Sequence, residues 1–272
     1  MRWLLVIAAL ALGGCGGADV RPGDGPIAVA ALYPLAWVAT SIGGTRFQVL
    51  DLTPPGAEPH DVEISPRDVE AIRGADVVLY VGGGFQPAVE DAVAGRNGPS
   101  LDVLGEDGDP HVWLDPLRFA AIAVSVGDAL GRPSAGRRLA RRLEALHDEY
   151  EAGLGRCERR TLVTSHKAFG RLADRYGLEQ LSLGGSSPEA EPGPRALEQL
   201  VEEIRASGAT TVFSEPLVSD RLARTVAREA GAEVAVLDPL EGLSEARLKA
   251  GEDYVTVMRD NLEALREALG CR

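Results

Sequence analysis

Short apolar runs of strand length alternate with helix-length segments on both sides of one long amphipathic stretch. This alternation constrains the fold more than any other feature of the 272-residue chain. Ile27 to Tyr33 is an apolar run suited to a strand buried on both faces. Leu35 to Ile42 reads as a helix that stops at Gly43-Gly44, and Phe47 to Leu52 as a second strand. Ser65-Pro66-Arg67-Asp68 is a helix start, with Ser65 as the cap, Pro66 in the first helical position and Asp68 three residues beyond the cap. That helix ends at Gly74, and Asp76 to Val81 is a third strand. Leu117 to Leu130 reads as a helix broken by Gly131-Arg132-Pro133. From Ser134 to about Gly155, Leu139, Leu143, Leu146, Tyr150 and Leu154 form one stripe of a long helix, with Arg137, Arg138, Arg141 and Arg142 mostly off it. The alternation then resumes: strand Thr161–Thr164, helices Ala168–Tyr176 and Pro194–Ala206, strand Thr210–Ser214, helix Asp220–Ala230, strand Glu233–Leu237, and a last helix from about Asp253 to Leu269. Repeated strand–helix–strand units imply right-handed crossovers and parallel sheets, so an α/β protein of two alternating halves is expected.

The N-terminus speaks to location. Arg2 precedes an unbroken apolar run, Leu4 to Leu12, which is of signal-peptide length and shorter than the roughly 20 residues a membrane-spanning helix needs. The run ends in Leu12-Gly13-Gly14-Cys15-Gly16-Gly17, which resembles a bacterial lipobox and implies cleavage before Cys15 and its acylation. The expected organisation is a signal peptide at 1–14, a lipidated tether at 15–26, an N-terminal lobe at 27–115, linking helices at 116–156 and a C-terminal lobe at 157–272. The formal charge of −13 becomes one unit more negative when Arg2 leaves with the leader. That acidity argues against nucleic acid as a partner and is compatible with cation capture or simply a solvated acidic surface. The two remaining cysteines, Cys157 and Cys271, are expected to pair in an oxidising compartment.

Only four histidines occur, and three stand in strand-end loops: His60 in Glu58-Pro59-His60-Asp61, His111 in Asp109-Pro110-His111-Val112-Trp113, and His166 in Ser165-His166-Lys167. Taken singly, each reads as a solvated or capping histidine. Spread over three segments of a parallel α/β fold, they point instead to one site, because ligands collect outside the carboxyl ends of the strands. Neutral imidazole is the commonest protein ligand for zinc. Asp238 follows a strand in the same way and is the first candidate for a carboxylate, with Glu241 the second. His147 lies at the edge of the long stripe and reads as a half-buried surface residue. Gly82-Gly83-Gly84 lacks the Lys-Ser/Thr of a phosphate loop, so no organic cofactor is expected.

Several segments together resemble the metal-binding proteins of bacterial zinc and manganese ABC importers, the cluster A-I solute-binding family. They are Ala31-Leu32-Tyr33-Pro34-Leu35; Pro59-His60-Asp61 with Ser65-Pro66; Asp109 to Pro116; Ser165 to Gly177; Glu189-Ala190-Glu191-Pro192; Phe213-Ser214-Glu215-Pro216; and Leu237-Asp238-Pro239-Leu240. The resemblance implies two (β/α) lobes joined by one long rigid helix, a metal site in the cleft between them, and His60, His111, His166 and Asp238 as ligands. It also implies an extracytoplasmic monomer, tethered to the membrane by lipid, that hands a divalent metal to an ABC importer permease. Glu189 and Glu191 are then cleft or structural carboxylates, and Glu215 one that pairs in the cleft or contacts the partner. Many zinc-specific members carry a histidine-rich loop before the second histidine; here Leu101 to Asp109 is short and offers only Glu106, Asp107 and Asp109.

Three imidazoles and a carboxylate favour zinc, with manganese the alternative metal. A zinc-dependent hydrolase is the rival of another class, since three histidines with an open fourth position can activate water. A carboxylate that closes the shell separates the two. A surface adhesin, a role linked to some members of the family, is a third reading.

Overall fold

The computed structural model describes residues 25–105, 108–185 and 193–272, so the expected signal peptide, Cys15, Glu106, Asp107, Glu189 and Glu191 lie outside the described residues. The first lobe runs β1 (Ile27–Ala30), α1 (Tyr33–Gly43), β2 (Gln48–Asp51), α2 (Pro66–Gly74), β3 (Val77–Tyr80), α3 (Pro87–Ala94) and β4 (Ser100–Asp102). Two helices follow, α4 (Pro116–Ala129) and α5 (Pro133–Leu154). The second lobe is β5 (Thr161–Thr164), α6 (Gly170–Tyr176), β6 (Glu179–Ser182), α7 (Pro194–Ser207), β7 (Thr211–Ser214), α8 (Arg221–Ala230), β8 (Glu233–Val236), α9 (Glu245–Lys249) and α10 (Tyr254–Leu269). Every strand pair is parallel, and the two four-stranded sheets have the orders β2-β1-β3-β4 and β6-β5-β7-β8. These are the same order, so each half places its switch point between its first and third strands. There the crossovers leave in opposite directions and open a crevice.

The expected elements are present, and the helix starts follow the local chemistry. Ser65 accepts the Asp68 backbone N–H while Asp68 bonds back to the Ser65 N–H, a closed capping box. Three elements escaped the sequence reading. β6 (Glu-Gln-Leu-Ser) is a polar edge strand with no apolar run, while α3 and α9 are short helices of eight and five residues. The sixth helix also begins at Gly170 rather than Ala168, because Lys167 and Ala168 form a turn before it.

α5 is the long helix, 22 residues from Pro133 to Leu154, and its predicted stripe is its buried face. It crosses α4 at a pair of glycines. A Cβ on Gly136 would lie 2.7 Å from the Ala123 carbonyl oxygen and 2.9 Å from the Gly127 Cα. Backbone meets backbone there, so Gly136→Ala is expected to destabilise by about 1–3 kcal/mol, overpacking outweighing the ~1 kcal/mol of helix propensity gained. A urea-unfolding midpoint at or above the wild-type value would count against it.

At the base of the cleft the lobes share one core. Trp113, Phe119 and Tyr254 are fully buried, and Tyr254 packs on both Trp37 and Phe119 with ring centroids 4.9 and 4.8 Å apart. Tyr150 on α5 donates its hydroxyl to the Met258 carbonyl on α10 at 2.6 Å. A disulfide joins Cys157 to Cys271, with backbone bonds Arg272 N–H to Arg156 O and Arg159 N–H to Leu269 O beside it. Together they close the far end of the second lobe.

Candidate metal centre

Each histidine is held by its own segment before it meets the others. His60 sits in a 3-10 turn, Pro59–Asp61, whose preceding Glu58 accepts the His60 backbone N–H at 3.2 Å. The buried Gln86 amide anchors the same turn through the Pro59 carbonyl at 3.1 Å, and Phe85 meets the His60 ring edge-on at 4.5 Å. His111 leads into the turn Val112–Leu114, and Asp109 Oδ1 accepts both its backbone N–H, at 3.1 Å, and its ring Nδ1–H, at 2.9 Å. His166 follows β5; its carbonyl accepts from Thr164 Oγ1 and Gln180 Nε2. Glu215, just after β7, accepts the His166 backbone N–H at 3.1 Å and the ring Nδ1–H at 2.6 Å. His166 and Glu215 therefore stand at the switch point of the second sheet, where such folds collect ligands.

The three imidazoles converge on one atom. His60, His111 and His166 present Nε2 at 3.1, 3.0 and 3.3 Å from Glu241 Oε1. These four residues form a group whose ligand atoms all lie within 4.8 Å of one another. Tetrahedral zinc with bonds of about 2.0–2.1 Å keeps its donors roughly 3.3 Å apart, so the spacing around Glu241 suits such an ion. The donor chemistry fits as well. On His111 and His166 a carboxylate occupies Nδ1, which fixes the tautomer and leaves the Nε2 lone pair facing the centre. His166 Nε2 is buried and has no hydrogen-bond partner, an orphan that an ion at the centre would satisfy.

The electrostatics of the pocket follow from this crowding. Burial alone would raise the Glu241 carboxyl, but the three imidazoles gathered around it hold it well below the usual carboxylate range. Burial works against a charged His166, yet Glu215 and Glu241 push it up to about 10. His111 is raised in the same way, its burial outweighed by Asp109 and Glu241. Burial and the nearby Glu241 charge push Glu58 up to about 7, with its Oε1 4.0 Å from His60 Nε2.

The carboxylate expectation needs correcting. Asp238, the first candidate, is not in the group; Glu241, the second, is. The Asp238 side chain turns away from the histidines, bonding the Leu240 backbone N–H through Oδ1 and the Arg247 guanidinium through Oδ2. Leu240 lies between the two acids with a φ of 57°, the left-handed region that L residues avoid, and that turn brings Glu241 inward. Nothing in Leu-Asp-Pro-Leu-Glu announces a left-handed leucine, so the local sequence gave no means of choosing. Asp109 and Glu215, known from the sequence only as loose or cleft carboxylates, prove to orient two of the imidazoles. His147 stays outside, half-buried against Tyr176 as expected.

A two-lobed α/β protein whose cleft closes three imidazoles and a carboxylate around one point is, by class, a metal-binding protein of the solute-binding kind. Comparison with known proteins specifies the class. Residues 28–268 match the family described as ZnuA, zinc-uptake complex component A, periplasmic, and the chain belongs to that family. The zinc-binding lipoprotein AdcA of Streptococcus pneumoniae serotype 4 is 31% identical, covering 97% of this chain and 60% of its own length. The laminin-binding protein Lmb of Streptococcus agalactiae, described as bifunctional with adhesin and metal-transporting activity, superposes with a TM-score of 0.82 at 28% identity. That match covers 90% of this chain and all of Lmb, at 100%. The Zn(II)-bound ZnuA-like domain of pneumococcal AdcA gives a TM-score of 0.76 at 31% identity, covering 90% of this chain and 99% of the domain. The chain spans about half the length, 55%, of the Streptococcus pyogenes zinc-binding AdcA proteins that it also matches.

Proposed function

We propose that this chain captures one zinc ion between its lobes with His60, His111, His166 and Glu241, and delivers it outside the cytoplasm to the permease of an ABC importer. The observation that carries the reading is the convergence of three Nε2 atoms on Glu241 Oε1, with carboxylates behind two of the rings. Three nitrogens and one oxygen in tetrahedral spacing favour zinc over manganese, which prefers oxygen donors and higher coordination. A fourth ligand from the protein also leaves no open position for an activated water, which separates capture from hydrolysis. Membership of a zinc-uptake family and likeness to a Zn(II)-bound domain point the same way. The direct test is metal analysis of protein purified without chelator, followed by competition between zinc and manganese. Preferential retention of manganese would sink the zinc assignment.

The same reading predicts a pH dependence. Imidazoles bind metal only when neutral, and the carboxylates beside His111 and His166 favour their charged forms, so zinc must compete with protons there. With His166 raised to about 10, affinity is expected to climb as pH rises through neutrality and to fall on acidification. Calorimetry in buffers of different ionisation enthalpy should show protons released at pH 7; zinc binding with no proton release would contradict the ligand set.

Anchoring rests on the leader. No helix among the described residues is long and apolar enough to cross a membrane. The Leu-Gly-Gly-Cys15 motif and the lipoprotein description of the pneumococcal relative support acylation at Cys15. Cys15→Ala is expected to move the protein from the detergent phase to the aqueous phase, or to leave its leader uncleaved. A native mass matching an unmodified chain with another N-terminus would refute the anchor.

A further inference from the structure

Asp238, which the sequence put forward as the fourth ligand, is at the centre of a cradle behind Glu241. Its Oδ1 accepts the Leu240 backbone N–H at 2.7 Å, and its Oδ2 is held by Arg247 of α9. The Asp238 backbone is closed from α10: Asn261 Oδ1 accepts its N–H at 2.9 Å, and the Asn261 amide donates to its carbonyl at 2.7 Å. From the turn that follows His111, the Trp113 indole N–H donates to the Pro239 carbonyl at 2.7 Å. All of these groups but Arg247 are buried. They enclose Leu240, the one non-glycine residue among the described residues with a positive φ, whose side chain is fully buried. A leucine stays left-handed only where its surroundings over-determine it, and such outliers cluster at functional sites. The next residue is Glu241.

We propose that Asp238 is a positioning residue: through Leu240 and Arg247 it fixes Glu241 with a single oxygen toward all three imidazoles, and so sets the site's preference for a four-coordinate cation over a six-coordinate one. The inference rests on the ligand set proposed above and adds what makes it selective. A zinc-sized ion takes the point between the Nε2 atoms and Oε1 as the cradle holds them. An ion that prefers six oxygen-rich ligands needs the carboxylate to withdraw, turn its second oxygen inward or admit water. Each of those movements would shift Glu241 along a loop held from three separate elements. A freed loop would permit them.

The test compares Asp238→Ala, Asp238→Asn and Arg247→Gln with the wild-type chain, measuring zinc and manganese affinities by competition and the visible spectrum of the cobalt(II) form. Asp238→Ala should lower the zinc-over-manganese preference, by at most about the 10–100-fold that removing a group behind a metal ligand costs in affinity. It should also weaken the intense absorption bands of tetrahedral cobalt. Asp238→Asn keeps an acceptor for the Leu240 N–H and should recover most of both. Arg247→Gln alters the partly exposed outer end of the cradle and should move both readouts in the same direction, which keeps the test decisive if Asp238→Ala fails to fold. An unchanged metal preference together with an unchanged cobalt spectrum in Asp238→Ala, or in Arg247→Gln where only that variant folds, overturns the proposal. A wild-type cobalt form without tetrahedral bands, or one that His111→Ala leaves untouched, would instead overturn the ligand set beneath it.

Discussion

Replacing His111 or Glu241 by alanine is expected to cost the chain its zinc. Groups that merely orient a ligand change metal affinity by about 10–100-fold, so losing a direct ligand from a four-membered shell should exceed that range. His111 is the sharpest single probe. It is fully buried, its Nε2 lies 3.0 Å from Glu241 Oε1, and its Nδ1 is held by Asp109, so alanine there removes a donor that the fold has fixed in place. Glu241→Ala removes the atom on which all three imidazoles converge, leaving two buried imidazoles without the central anion that favours their charged forms. The metal-free variant should therefore be less stable and less tolerant of low pH than wild type, because His111 and His166 must then give up charge or carry it with Asp109 and Glu215 alone. Zinc should raise the melting temperature of the wild-type chain, an excess of about a thousand times the dissociation constant adding ~4 kcal/mol by mass action. The same zinc should leave both variants nearly unmoved. Two variants with wild-type zinc affinity and a full thermal shift would require a different site.

Removing the disulfide is expected to have the largest effect on stability and almost none on metal binding. Cys157 and Cys271 are 114 residues apart, and for a loop of that order the chain-entropy model gives about 4–5 kcal/mol, an upper figure in practice. The bond ties the segment before β5 to the residue after Gly270, which caps α10, so without it the C-terminal turn and its two flanking backbone bonds should fray first. His166 stands at the other end of β5, and its partner Glu215 follows β7. The Cys157→Ser, Cys271→Ser double variant should thus melt well below wild type yet bind zinc within about twofold, since distant, unshared sites act additively. A large loss of affinity with little loss of stability would show that the two ends of the lobe are coupled in a way the contacts do not reveal.

How far the sequence reached can be judged from particular residues. The buried stripe of α5 was legible because Leu139, Leu143, Leu146, Tyr150 and Leu154 obey the helical period, and a long helix has one way to hide such a face. The central strands of the first sheet were legible because parallel strands covered on both faces are continuous apolar runs, as in Ile27–Ala30 and Val77–Tyr80. β6 was not, since an edge strand can be polar; Glu179–Ser182 is a strand because β5 lies beside it, not because its residues demand one. The histidines were legible as a set because each ends up in a loop beyond a strand, and parallel topology brings such loops to one side.

The carboxylate marks the limit. Asp238 and Glu241 are three residues apart in one loop, both acidic and both within five residues of the end of the preceding strand at Val236. The choice between them depends on Arg247 from α9, Asn261 from α10 and Trp113 from the turn beyond His111, groups up to more than a hundred residues away in the chain. The sequence by itself determined the alternation of elements, the long helix and the three imidazoles, since periodicity and residue chemistry are local properties. Which acid faces the imidazoles, and which carboxylates stand behind them, was decided only by tertiary structure, because a buried charge goes where distant partners can satisfy it.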